Sequence, residues 1–118
     1  MEIVDNRARS LNALSVPDEI KIIFQNIIST FNNKFPENVN KIILFGSYAT
    51  GKYQPDSDID VAIVLNKFPD IKSRCLYTQA IETEKEVDLL FCTNNQLLSD
   101  EFVYKHINGE GVTIYEQL

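Results

Sequence analysis

The sequence predicts an α/β protein, of the α+β kind, with a small mixed sheet of about four strands flanked by helices. Two short and almost uniformly apolar runs, "KIILF" (41–45) and "VAIVL" (61–65), have the length and composition of strands covered on both faces. Segments of helical periodicity alternate with such runs along the chain, which is the pattern of a layered helix-and-sheet domain. With 118 residues, no internal repeat and no low-complexity linker, residues 1–118 are expected to form a single domain.

Residues 1–14 carry weak periodicity and are assigned to a short helix or an N-terminal arm. "SVPDE" (15–19) reads as a helix start: Ser15 can cap, Pro17 suits the first turn, and Asp18 and Glu19 complement the positive end of the helix dipole. Ile20, Ile23, Phe24, Ile27, Ile28, Phe31 and Phe35 then recur at helical spacing. Pro36 disfavours helical geometry at Phe35, so the helix is expected to end there. The first strand is 41–45. "DIDVAIVL" (58–65), rich in β-branched residues, is the second. Residues 71–84 suggest a helix, and "EVDLLFC" (86–92) a third strand. "SDEFVYKHING" suggests a helix capped by Ser99 and stopped at Asn108-Gly109, before a last short strand in "GVTIYE".

Composition narrows the function. The chain is 44% hydrophobic and 24% charged, as ordinary globular domains are. A net charge of −6 argues against an extensive nucleic-acid surface, which needs a basic stripe, but not against a metal ion or a nucleotide. No apolar run approaches the roughly 18 residues of a membrane span. The opening "MEIVDNRARS" lacks the apolar segment of a signal peptide. Cys75 and Cys92, without CxxC spacing, read as reduced core thiols of a cytoplasmic protein.

The chemistry concentrates in residues 46–60, "GSYATGKYQPDSDID". On a strand, Asp58 and Asp60 (positions i and i+2) point to one face. Their repulsion is relieved by a divalent cation, and hard oxygen donors in small number suit Mg²⁺. Asp88, near the start of the next expected strand, supplies a third carboxylate if the two strands pair. Three such groups can hold two ions about 3.5–4 Å apart. Gly46 and Ser47 leave a strand into a tight turn, where the backbone can approach a phosphate and the serine hydroxyl can donate to it. Gly51 is expected to adopt positive φ, and Pro55 stiffens the return. Taken singly, each feature is most simply a turn, a solvated strand end or an exposed edge residue. Together they point to a nucleotide–metal site.

Gly46-Ser47, ten intervening residues, Asp58-x-Asp60, and Asp88 in a later strand form a pattern that resembles the nucleotidyltransferase fold of the DNA polymerase beta superfamily. The short chain is similar to the minimal nucleotidyltransferases that pair, as antitoxins, with HEPN-domain toxins. This resemblance implies that Gly46 and Ser47 bind nucleotide phosphates. It also implies that Asp58, Asp60 and Asp88 coordinate Mg²⁺, two ions in all, with Asp88 helping to deprotonate the acceptor. It further implies transfer of a nucleoside monophosphate, AMP from ATP, to a hydroxyl such as a tyrosine of a HEPN toxin. Two other readings stay open: neutralisation of the partner by occlusion without catalysis, and transfer to a small molecule such as an aminoglycoside. The turn departs from the family's habit, since "YAT" carries no arginine between Ser47 and Gly51, and Lys52 is expected to be solvated. His106 is assigned to a helix-end dipole contact, and Tyr104 and Tyr115 to half-buried packing.

Overall fold

The computed structural model describes residues 16–34, 37–67 and 86–117. The expectations for Ser15, Phe35, Pro36, Cys75, the 1–14 arm and the 71–84 helix lie outside these residues. Helix α1 (Asp18–Lys34) leads into strand β1 (Val39–Phe45), a single turn α2 (Ser47–Thr50) and strand β2 (Ile59–Leu65). Strand β3 (Val87–Thr93), turn α3 (Asn94–Leu97), helix α4 (Phe102–Glu110) and strand β4 (Val112–Glu116) follow. The sheet runs β3-β2-β1-β4. β1 pairs antiparallel with both β2 and β4, whereas β2 and β3 are parallel, so the sheet is mixed as expected.

Period-two alternation divides the sheet between two cores. Ile42 and Leu44 of β1 join Ile59, Val61, Ile63 and Leu65 of β2 beneath α1. The α1 stripe Ile20, Phe24, Ile27, Ile28 and Phe31 is buried against them, each large side chain contributing about 1.5–3 kcal/mol on leaving water. On the other face Ile43, Ala62, Val64 and Cys92 pack under Leu97, Tyr104 and Ile107 of α3 and α4. Burial pushes the Cys92 thiol up to about 11 despite the opposing charge of Lys41, which keeps it protonated at neutral pH.

Helix ends depart from expectation in three places. The Pro17 carbonyl accepts the first helical bonds, from Ile20 and Lys21, so Pro17 precedes the helix rather than occupying its first turn. Ser99 does not cap α4. The cap position is Glu101, whose side chain makes no capping bond, and Ser99 Oγ is buried without a hydrogen-bond partner among the described residues. The cap chemistry sits earlier, where Thr93 accepts from the Gln96 backbone and Gln96 accepts from the Thr93 backbone, a reciprocal box that starts α3. Finally, α4 runs through Asn108-Gly109 to Glu110, because Gly111 N–H still bonds back to the Ile107 carbonyl.

Tyr104 and Tyr115 are more buried than half-buried packing implies. A register shift between Ile42 and Ile43 lets the consecutive residues Ile114 and Tyr115 both enter the core under α1. There the Tyr115 hydroxyl donates to Asn32 Oδ1 at 2.7 Å, fastening β4 to α1. Tyr115→Phe leaves that buried acceptor unsatisfied and is expected to lower unfolding stability by about 1–3 kcal/mol in urea titration, with an unchanged slope. An unchanged midpoint would show that the bond adds nothing net.

Candidate active site

β1 ends at Phe45, and the chain turns at once through Gly46. There φ is 76° and ψ is −156°, a region open in practice only to glycine. The Ala49 and Thr50 N–H groups return to the Gly46 carbonyl, which leaves Gly46 and Ser47 at the N-terminal end of the turn. Gly51 closes it with φ of 83°, as its sequence position predicts, and Lys52 is exposed, also as expected. Tyr48 and Tyr53 stack at 4.6 Å with rings 15° apart, and this pair anchors the following loop to the α1 core. Ser57 accepts from the Gln54 N–H at 2.7 Å and its own N–H returns to the Gln54 carbonyl, closing the loop just ahead of Asp58.

Sheet register then sets three residues in a row. Phe45 lies opposite Asp60 across β1 and β2, and Asp60 lies opposite Asp88 across β2 and β3. Neighbouring strands stand about 4.8 Å apart, so the two carboxyls meet on the face that α4 covers. Asp60 is accordingly held above its ordinary carboxyl range. Burial is the largest cause, followed by the charges of Asp88 and Asp58 and the Asp88 hydrogen bond, with His106 pulling the other way. Asp58 itself is exposed and precedes β2, which begins at Ile59. It lies in the loop, not within the strand as expected, and its charge reaches Asp60 from there.

Two features of this site escaped the sequence reading. Gly46 faces Asp60: a Cβ built at Gly46 collides with the Asp60 carboxylate, so the glycine makes room for the acid as well as for any phosphate. His106, assigned above to a helix end, fronts the site. Its imidazole meets Phe45 edge-on at 6.5 Å, bonds Glu110 at 3.4 Å, and its charge reaches Asp60. The α4 periodicity holds the clue, since His106 adjoins buried Ile107 on the helix that covers the acidic face.

Whether these carboxylates suit a metal is testable on their own chemistry. Among the described residues no three acidic, histidine or cysteine side chains are already drawn together as a metal cluster. The Asp60–Asp88 pair nonetheless fits a hard divalent cation, because a bound cation relieves the repulsion between neighbouring carboxyls that raises Asp60. A cavity of about 550 Å³ lies elsewhere, lined by Pro17, Ile20, Ile23, Tyr48, Tyr53 and Pro55 on the α1 side of the sheet.

The profile of the family described as "Polymerase beta, Nucleotidyltransferase" matches residues 25–117, a span that holds the glycine turn and all three aspartates. The chain belongs to that family. Among individual proteins, it is 39% identical over 51 residues to MJ0141, a candidate protein adenylyltransferase of Methanocaldococcus jannaschii. That stretch covers 43% of this chain and 48% of the relative, so the match spans about half of that protein. A chain in the crystal structure of a toxin–antitoxin with AMP-PNP superposes with a TM-score of 0.61 at 26% identity, covering 79% of this chain and 73% of that one. A chain in the structure of a tri-AMPylated Shewanella oneidensis HEPN toxin with its MNT antitoxin superposes at 0.58 and 23% identity, covering 82% and 72%. The polymerase beta nucleotidyltransferase fold accounts for the small mixed sheet flanked by helices. Among the described residues no helix of this family member is long and apolar enough to cross a membrane.

Proposed function

We propose that this chain moves AMP from ATP onto a hydroxyl of a partner protein, a tyrosine of a HEPN toxin, and so acts as an antitoxin. The observation that carries the reading is the pairing of Asp60 with Asp88 directly in front of the Gly46 turn. The fold shared with a chain of a toxin–antitoxin with AMP-PNP, and with a chain of a complex between a tri-AMPylated HEPN toxin and an MNT antitoxin, supports it.

In this reading Gly46 and Ser47 receive the triphosphate, and Asp58, Asp60 and Asp88 hold Mg²⁺. The ion supplies positive charge against the triphosphate and the developing charge of the transition state. Asp88, exposed on the edge strand, takes the proton of the acceptor hydroxyl. The hydroxyl oxygen bonds to the α-phosphorus, the bond from that phosphorus to the bridging oxygen breaks, and pyrophosphate leaves. Side chains contribute position and charge, with no covalent intermediate on the protein.

Co-expression with a HEPN partner followed by intact-mass measurement tests this. A nucleotide-sized increase on the partner is expected with the wild type and absent with Asp58→Asn or Asp60→Asn. The turn "YAT", without the arginine its family often carries, favours one rival, neutralisation by occlusion. Protection that persists undiminished in both variants, with an unmodified partner, would establish that rival.

A further inference from the structure

α4 and the approach to it expose three large apolar residues within six positions: Leu98 is 79% exposed, Phe102 85% and Val103 38%. Exposed apolar residues scattered singly need no explanation, but a group adjoining a reactive rim does. Phe102 is joined to that rim by a continuous row of rings. Its ring lies 8° from parallel to the His106 imidazole with centroids 6.3 Å apart. His106 in turn meets Phe45 edge-on, and Phe45 is the cross-strand neighbour of Asp60. Acidic residues border this stretch. Asp100, Glu101 and Glu110 are exposed beside it, against one exposed cation, Lys105, on the same helix.

We propose that Phe102, flanked by Leu98 and Val103, is the surface on which the acceptor polypeptide docks. The occupant is a basic, tyrosine-bearing segment that seats an apolar side chain on Phe102 while its cations face Asp100, Glu101 and Glu110. Its hydroxyl is thereby carried along the Phe102–His106–Phe45 row to Asp60 and Asp88. This rests on the transfer reading above, and it adds where the acceptor binds and what chemistry selects it. His106 is a positioning residue here, linking the ledge to the carboxylates.

The probe is a fluorescein-labelled random copolymer of lysine and tyrosine, with polylysine as the charge-only control, read by anisotropy against the full chain. The wild type is expected to bind the copolymer at least tenfold more tightly than polylysine. Phe102→Ala, which leaves net charge unchanged and alters an exposed position, is expected to lose at least tenfold, and Phe102→Leu to retain most of the affinity. Equal binding by the wild type and Phe102→Ala, both folded by circular dichroism, overturns the surface, as does equal binding of the two polymers. Transfer of label from α-³²P ATP to the copolymer is read in parallel. Phe102-dependent binding without transfer upholds the surface and counts against the chemistry; transfer indifferent to Phe102 does the reverse.

Discussion

Asp60→Asn is expected to reduce nucleotidyl transfer by at least about a hundredfold while raising the thermal midpoint of the metal-free chain at neutral pH. The first part follows from the several kcal/mol that a correctly held cation contributes to the transition state, at about 1.4 kcal/mol per tenfold in rate. The second part follows from the direction of the Asp60 shift. Burial, then the neighbouring Asp88 and Asp58 charges, raise its carboxyl above the ordinary 3.8, so the folded chain holds that proton more tightly than the unfolded chain does. The stability linked to this group is therefore complete below about pH 3.8 and is lost as pH climbs through the folded value. Above the unfolded value this linkage opposes folding, and an amide, which has no proton to gain or lose, removes that penalty. Differential scanning fluorimetry checks the stability half: Mg²⁺ should raise the wild-type midpoint and leave the Asp60→Asn variant unmoved. A variant less stable than the wild type without metal, or one that keeps full transfer, contradicts the assignment.

Gly46→Ala carries the second large effect. Backbone strain at this φ and ψ costs about 1–3 kcal/mol for a non-glycine residue, and the new methyl must displace the Asp60 carboxylate. A midpoint lowered by several degrees is expected, with nucleotide affinity lost even where the chain remains folded. In an Asp60→Ala background the collision disappears while the strain remains. The two sites should therefore couple by about 0.5–3 kcal/mol in a double-mutant cycle. Strict additivity would show that glycine and aspartate do not meet.

The elements were legible because burial on two faces writes itself into composition: "KIILF" and "VAIVL" allow little else. The α1 stripe was legible for the same reason, its period matching a single covered face. What failed was local chemistry decided by neighbours distant in sequence. Ser99 has the right residue type for a cap, yet α4 starts only after Glu101, and the reciprocal cap of Thr93 and Gln96 belongs to the separate turn α3. Asp58 looked like a strand residue, but the ladder begins only at Ile59, whose N–H reaches the Glu86 carbonyl. In the site, spacing singled out the three aspartates as candidates. That Asp60 and Asp88 stand level, that Gly46 yields space to an acid, and that His106 looks onto them all depend on register and helix placement. Asn32 offered no signal at all, since its bond to Tyr115 joins residues 83 positions apart.

The parallel pairing of β2 with β3 makes the site tolerant of change in one direction and brittle in another. Parallel neighbours are linked by a crossover, which need only be long enough to return the chain to the same end of the sheet. Residues inserted between 67 and 86 can lengthen that return without altering which residues face each other. A single residue inserted between Asp88 and the packed remainder of Val87–Thr93 would instead turn that carboxylate to the opposite side, under α1, and leave Asp60 alone. Lineages of this protein should therefore vary freely in the length of the connection and hardly at all within the strand.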